Sequence, residues 1–418
     1  MKKIFIILVF ILAATGISAQ QDSTFNDFQK KAKQDFDNYL KQAEKDFSDY
    51  RDKENAKYEA FLRKSWEEFN AFDAIPIPPS PEPITPPTVK PEVKPTADPI
   101  PYAEIVPVPK LVVPPKPFHP IPPPVKQPVK RQTLDFPFFG SECKVSLEPK
   151  QKITLSDLSN NSIANAWKQL SGSAYNALIN DCLSLRDELK TGDWGYYQLV
   201  KKMSETHYRT ASNEATLLQM YILTQSGYKV RIAKTNNRLT LLIPFRQSIF
   251  EYSYLQIAGM KYYVMDRSLK GSTFHVCDHE FPREQFFSLQ LDAQPDFDIV
   301  PTTPKTFTTE RNPQIRASVA TNQNLIDFYN TYPPMSEWNL HVRASLSTTV
   351  KSSLYPALKT GIAGKTQTEA ANILLDFVQH AFKYQTDNQQ FGYERPLFAD
   401  ETFFYPASDC EDRSILFS

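Results

Sequence analysis

The chain of 418 residues lacks an excess of either charge, because 47 basic residues balance 47 acidic ones. This balance removes the general electrostatic case for nucleic acid or an anionic membrane as a partner. Cysteine is scarce as well. Four residues, Cys143, Cys182, Cys277 and Cys410, are too few for a disulfide scaffold in so long a chain. One pair among the first three stays open, and no motif indicates a cofactor.

The sequence also lacks an apolar run long enough for a confident membrane span. A short run at 4–14 follows Met1-Lys2-Lys3 and leads to small residues at 16–19, the pattern of a secretory signal peptide over 1–19. Cleavage after Ala19 predicts an exported chain in a bacterial periplasm or at the cell surface. Because no cysteine lies near this position, we expect no lipid anchor, and membrane contact is not expected either.

Aromatic residues recur every eleven positions between 25 and 72. The two series are Phe25, Phe36, Phe47, Tyr58, Phe69 and Phe28, Tyr39, Tyr50, Phe61, Phe72. Eleven residues make almost three helical turns, so these rings form one nearly straight aromatic stripe on a helix predicted over 20–75. Such a stripe must be covered by other copies of the helix, by lipid, or by the protein's own globular part. Ten basic and twelve acidic residues over 20–72 argue against an anionic lipid surface. Self-association through 25–72 as a coiled coil is therefore the preferred interpretation.

Proline dominates the next segment, since 22 of the 34 prolines fall between Pro76 and Pro137. A segment of this composition cannot bury a core and favours extended polyproline II. The sequence therefore predicts a disordered linker over 76–135.

From about residue 136 the pattern changes to helices followed by antiparallel strands, which indicates an α+β fold. A first domain is predicted over 136–300, with a helix capped by Ser212 and strands at 229–233, 238–245, 252–257 and 261–266. A connecting β region is predicted over 301–365. Its expected strands are 314–320 and 340–347, and its expected helices are 324–329 and 353–361. A last segment, 366–418, begins with a capping box of Thr366 and Glu369.

Two helix starts in the chain are alike. Asn213-Glu214 follows the cap Ser212, and Cys410-Glu411 follows the cap Asp409, with Asp412 completing a capping box. Cys410 is thus predicted at a first helical position, where free backbone N–H groups and the helix dipole favour a thiolate. We interpret the two regions as copies of one fold.

The segment 369–418 includes FVQHAFKY at 377–384, QFGYE at 390–394 and DCEDR at 409–413. It resembles the transglutaminase-like superfamily, in the form seen in exported proteins of Bacteroidetes. The segment from Asp193 to Asp266 is similar to the same fold in degenerate form. The resemblance implies a papain-like fold, in which a cysteine at a helix N-terminus packs on an antiparallel sheet carrying His and Asp. It also implies acyl transfer or amide hydrolysis through a thioester, with peptide or protein as substrate.

The resemblance assigns Cys410 to the nucleophile position. No residue matches the partner His or Asp of that copy, because the sequence ends first. We therefore expect an incomplete second copy and an inactive chain. In the first copy Asp266 falls near the orienting-acid position, but Asn213 replaces the cysteine and strand 239–245 contains no histidine, so that copy should be inert. The alternatives are a non-catalytic envelope protein that binds peptide or glycan, and a purely structural tether.

The remaining histidines suggest no site. His275 and Cys277 would stand about 7 Å apart on a strand, which suits a tetrahedral metal poorly, so we expect no metal and a surface strand or turn there. His380 is expected to be a packing histidine on a helix. His207 is expected to be an exposed loop residue.

Overall fold

The computed structural model describes residues 23–65, 71–73 and 132–418, apart from 236, 270, 271 and 336. The predicted signal peptide over 1–19 and nearly all of the predicted linker over 76–135 lie outside these residues. The chain divides into two units, Met1–Glu54 and Asn55–Ser418. Within the described part of the chain, no helix combines the length and the apolar character that crossing a membrane requires.

The first helix, α1 (Ser23–Ser65), carries the aromatic stripe. Within the unit that ends at Glu54, Phe36, Tyr39 and Tyr50 are exposed. This part of the stripe therefore has the open face that the eleven-residue spacing predicts.

The last turns of α1 belong to the second unit, and there the stripe is buried. Tyr58 and Leu62 are fully buried in the core. The ring of Tyr58 lies 4.4 Å from that of Trp167, and its hydroxyl lies 3.4 Å from Cys277 Sγ. The protein's own globular part thus covers this end of the stripe, which the sequence had left as one of three alternatives.

The prediction of a helix over 20–75 is wrong at its C-terminal end, where the helix is shorter than predicted. It ends at Ser65, and Ala71–Asp73 form strand β1 instead. Phe72, a member of the eleven-residue series, pairs with Phe274 across two antiparallel strands. Sheet pairing determines the conformation here, because an edge strand offers unpaired backbone groups that local helical spacing cannot satisfy.

The second unit contains eleven further helices among its described residues. They are α2 (Asn160–Leu170), α3 (Asn176–Glu188), α4 (Gly192–Tyr208), α5 (Asn213–Gln225), α6 (Gln323–Tyr329), α7 (Asn339–Arg343), α8 (Thr348–Ile362), α9 (Gln367–His380), α10 (Asp387–Gln390), α11 (Ala399–Phe404) and α12 (Cys410–Phe417). The predicted caps are present: Ser212 accepts from the N–H of Ala215, and Thr366 and Glu369 form a capping box.

The described strands of this unit form one large sheet and two small ribbons. They are β2 (Leu134–Phe138), β3 (Ser141–Val145), β4 (Arg231–Lys234), β5 (Leu239–Ile243), β6 (Tyr254–Ile257), β7 (Met260–Val264), β8 (Thr273–Cys277), β9 (Lys305–Thr308) and β10 (Arg316–Val319). The large sheet is antiparallel with the order β1-β8-β4-β5-β7-β6, and β2-β3 and β9-β10 are hairpins. Helices and an antiparallel sheet within one unit make the fold class α+β, as predicted.

The sheet is buried on both faces at its centre. All five residues of β5 are buried. Leu239, Leu241 and Ile243 enter the main core with the helices, whereas Leu242 enters a smaller cluster on the opposite face. This alternation follows from the two-residue period of a strand. The central strand thus positions the N-terminus of α5 firmly against the sheet.

A second apolar core forms near the C-terminus. It joins the β9-β10 hairpin to α8, α9 and α11, through residues that include Phe307, Val319, Val350, Phe377 and Phe403. Residues 301–365 were predicted as a connecting β region. The strand at 314–320 is confirmed as β10, but the strand at 340–347 is wrong, because α7 occupies 339–343 and buries Leu340.

Candidate functional site

Cys410 occupies the first position of α12, as predicted from its sequence. Asp409 is the N-cap and accepts from the N–H of Asp412, while the Asp412 carboxylate accepts from the N–H of Asp409 at 3.3 Å. All four cysteines are free thiols, so the pair left open among Cys143, Cys182 and Cys277 does not form. Cys410 is exposed and the other three are buried. The predicted position of Cys410 at the first residue of a helix is confirmed.

Arg413 anchors the start of α12 to the end of α9. Its guanidinium donates to the carbonyls of Gln379 at 2.6 Å and Phe382 at 3.0 Å. The same guanidinium lies 5.5 Å from the ring centroid of Tyr384. Partial burial raises the pKa of the Tyr384 phenol, and the neighbouring Cys410 raises it further. The thiol is thus beside a phenol and a cation whose hydrogen bonds are directed to backbone carbonyls.

Carboxyl groups form the other side of this site. Oxygens of Asp387, Asp409 and Glu411 lie within 4.8 Å of one another. Burial raises the pKa of Asp387 to about 7 and that of Asp409 to about 7, and it also raises the pKa of Glu411. Glu394 is hydrogen-bonded to Glu411, and burial raises its pKa as well. We call Asp387, Glu394, Asp409 and Glu411 the carboxyl cluster.

Like charges this close disfavour ionisation of every group in the carboxyl cluster. Three carboxylate oxygens at this spacing have the chemistry that a hard cation prefers. Carboxyl groups also disfavour a neighbouring thiolate. The surroundings of Cys410 therefore oppose the activation that its helix N-terminus would provide.

Histidines that a thiol nucleophile would need are engaged elsewhere. His207 lies within α4 and is buried, with Nε2 at 3.0 Å from the carbonyl oxygen of Gln151, so the prediction of an exposed loop residue is wrong. His380 is exposed, with Nδ1 at 2.9 Å from Asp376 Oδ1, so it is not a packing histidine. No hydrogen bond joins a histidine to Cys410 in the part of the chain that the structure describes.

The segment around Cys277 is not a surface strand either. Strand β8 lies between β1 and β4, and Cys277 is fully buried beneath Tyr58. This burial was not predicted, because it depends on a strand about 200 residues earlier in the chain. The local sequence HVCDH at 275–279 does not indicate that such a strand packs there.

Asn213 begins α5 at the position that Cys410 has in α12. Its side-chain oxygen accepts from the N–H of Leu239 at 2.8 Å, and its amide donates to the carbonyl of Asn237 at 3.3 Å. Asn213 therefore joins the helix N-terminus to the first residue of β5. A cysteine could not make both of these bonds, because a thiol is a weak donor and a weak acceptor.

A cavity of about 310 Å³ opens beside Asn213. Its walls come from α4, the N-terminal half of α5, the start of β5 and the segment after β7, and Asp266 lines it too. Asp266 forms an ion pair with Arg238, with 2.7 Å between Asp266 Oδ2 and Arg238 Nη2. The structure thus brings together Asn213 and Asp266, the two residues that the resemblance assigned to nucleophile and orienting-acid positions. We call this cavity the Asn213 cleft.

Comparison with protein-family models, with curated proteins and with solved structures gave no match for this chain. The fold and the two helix starts are therefore the basis for functional interpretation. The class that the fold defines is an α+β protein with a helix N-terminus directed at one end of an antiparallel sheet.

Proposed function

We propose that this chain is an exported cell-envelope protein of the transglutaminase-like superfamily that binds a ligand and does not transfer acyl groups. The observation that carries the proposal is the Asn213 cleft. It has a helix N-terminus, one end of the antiparallel sheet and an acid, Asp266, around one cavity, but an amide stands where a nucleophile would be needed. A binding role uses this cavity without requiring chemistry from Asn213.

Cysteine-dependent acyl transfer at Cys410 is the second candidate. It is favoured by an exposed thiol at the first residue of a capped helix, where backbone N–H groups favour a thiolate. A peptide or protein would then be the substrate, through a thioester. The carboxyl cluster counts against this candidate, since it raises the free energy of the thiolate that attack requires.

Turnover measurements on the purified chain separate the two candidates. Incorporation of a fluorescent amine into a glutamine-containing peptide, and hydrolysis of fluorogenic peptides, should run at the background rate in the wild type. Cys410→Ala should behave identically. Ser414→Ala is the matched control, because Ser414 lies one turn later and its hydroxyl bonds only to the Cys410 carbonyl among described groups. A rate that Cys410→Ala abolishes and Ser414→Ala retains would establish acyl transfer instead.

We also propose that the part of α1 before Asn55 associates with a second copy of itself. Support comes from the exposed rings of Phe36, Tyr39 and Tyr50 on one side of a long polar helix.

A further inference from the structure

Two polar side chains in the walls of the Asn213 cleft, Tyr197 and Gln219, form no hydrogen bond within the described part of the chain. Tyr197 is 4% exposed and Gln219 is 6% exposed. Both line the cleft, and neither side chain makes a hydrogen bond to any residue that the structure describes. These two groups therefore suit a ligand that supplies the missing partners.

The cleft also contains two unpaired charges of opposite sign. Lys201 and Glu205 are four residues apart on α4, and both line the cavity. Neither has an ion-pair or hydrogen-bond partner among the described residues. The other charges at this cavity are paired, since Arg238 bonds Asp266 at 2.7 Å and Arg267 bonds Glu251 at 2.5 Å. One cation and one anion thus remain for a ligand.

The size of the cleft restricts the ligand further. A volume of about 310 Å³ is at the lower end of the range for small-molecule pockets, about 300–1,000 Å³. Trp194 and Tyr252 supply aromatic surface, and the indole N–H of Trp194 is already bonded to Thr331. These two rings offer contact to an apolar group on a small ligand.

We infer that the Asn213 cleft binds a small zwitterion, either a free amino acid or a dipeptide. Lys201 pairs with the ligand's carboxylate and Glu205 pairs with its ammonium group. Tyr197 and Gln219 bond the polar groups between them, and Trp194 contacts the ligand's side chain. Residues four apart on a helix have Cβ atoms about 6 Å apart, which matches the short separation of charges in such a molecule. This inference rests on the binding role proposed above and names its ligand class.

Calorimetric titration of the full chain tests the ligand class. The probes are tyrosine, alanyl-tyrosine, N-acetyl-tyrosine, tyrosine amide and glucose. We expect one-to-one binding of tyrosine or of alanyl-tyrosine, and the pair distinguishes an amino acid from a dipeptide. Blocking either charge should weaken binding about tenfold or more, because each hydrogen-bonded charge contributes roughly 1.5–3 kcal/mol. Glucose should not bind.

Variants of the cleft test the site. Lys201→Met and Glu205→Gln should each weaken binding of the zwitterion about tenfold or more. Lys202→Met is the matched control, because Lys202 is exposed on the same helix and does not line the cleft. Tyr197→Phe should weaken binding while leaving the Tm of the ligand-free protein unchanged, since the lost hydroxyl has no partner in the folded chain.

Three results would overturn the inference. The first is that neither tyrosine nor alanyl-tyrosine binds. The second is that one of them binds to Lys201→Met and to Glu205→Gln as tightly as to the wild type. The third is that glucose binds as tightly as the zwitterions. Failure of the proposed non-catalytic role would be seen separately, as turnover that depends on Cys410.

Discussion

Several carboxylic acids lie in the region around Cys410, and two of them, Asp387 and Asp409, are buried. Asp387 is 2% exposed and Asp409 is 6% exposed, so both are far more buried than surface acids. Hydrogen bonds from backbone N–H groups, such as Arg395 N to Asp387 at 2.5 Å, and the charge of Arg395 offset part of the effect of burial on the pKa of Asp387. Between about pH 4 and pH 7 the folded state therefore holds protons that the unfolded chain has already released.

The stability of the protein should consequently fall as pH rises. A carboxyl group whose folded pKa exceeds its unfolded value stabilises the fold fully below about pH 4. That contribution is lost as pH rises through about 7, the value to which burial raises the pKa of Asp387 and of Asp409. Urea unfolding should show a loss of roughly 1–3 kcal/mol between pH 5 and pH 8. In Asp387→Asn this dependence should be weaker, whereas Asp292→Asn, at an exposed site, should retain it. An unchanged pH dependence in Asp387→Asn would contradict the assignment.

Helix α1 has two different environments along one face. Tyr39 is 69% exposed, whereas Tyr58 is fully buried. Tyr58 belongs to the first eleven-residue series of the aromatic stripe and Tyr39 to the second. The spacing in the sequence treats these positions alike. Only contact with Trp167, Phe281 and Cys277 distinguishes Tyr58.

Substitution of these two tyrosines should therefore have unequal effects. Tyr58→Ala removes a fully buried ring and should lower the free energy of unfolding by about 3–5 kcal/mol. Tyr39→Ala removes an exposed ring and should change it by less than about 0.5 kcal/mol when the protein is dilute. Chemical unfolding at low protein concentration measures both. Equal effects would show that α1 does not pack as described.

Self-association should depend on the exposed part of the same helix. Sedimentation of the full chain should show an oligomer, and replacing Phe36, Tyr39 and Tyr50 with serine should shift it to the monomer, because the apolar contact area is lost. Lys33→Ser, Lys41→Ser and Lys53→Ser together provide a control on the same helix. A wild type that sediments as a monomer at all concentrations would eliminate this proposal.

At the scale of the whole molecule, the segment predicted as a separate stalk contributes to the globular part. Residues 55–65 enter the main core, and β1 covers the edge of β8. An uncovered strand edge and an exposed apolar surface favour aggregation. The boundary at Glu54 therefore has a physical meaning that the composition of 20–75 does not reveal.

Two deletions test this boundary. Removal of residues 20–54 should leave the Tm of the globular part unchanged. Removal of residues 20–75 should lower it by several degrees or cause aggregation, because Tyr58, Leu62 and strand β1 are lost together. Thermal unfolding followed by circular dichroism compares the two variants. If both retain the Tm of the full chain, the packing of residues 55–73 contributes no stability.

Local signals in the sequence determined the starts of several helices and the class of the fold. Ser212, Thr366 with Glu369, and Asp409 with Asp412 act as predicted, because a cap depends on groups only three residues apart. The four strands predicted between 229 and 266 also form. Short apolar stretches that are rich in strand-forming residues and bounded by turns are typical of buried strands. The position of Cys410 at the start of a helix followed from the cap Asp409 in the same way, whereas its exposure was seen only in the structure.

Tertiary structure alone decided which groups meet. The carboxyl cluster joins Asp387, Glu394 and Asp409, and the Asn213 cleft joins α4 to residues more than fifty positions later. The burial of Cys277 and His207 and the pairing of Phe72 likewise depend on distant partners. Helix caps and hydrophobic periodicity depend on interactions between residues that are close in sequence. A cavity or a buried charge depends on the free energy of the complete packed chain.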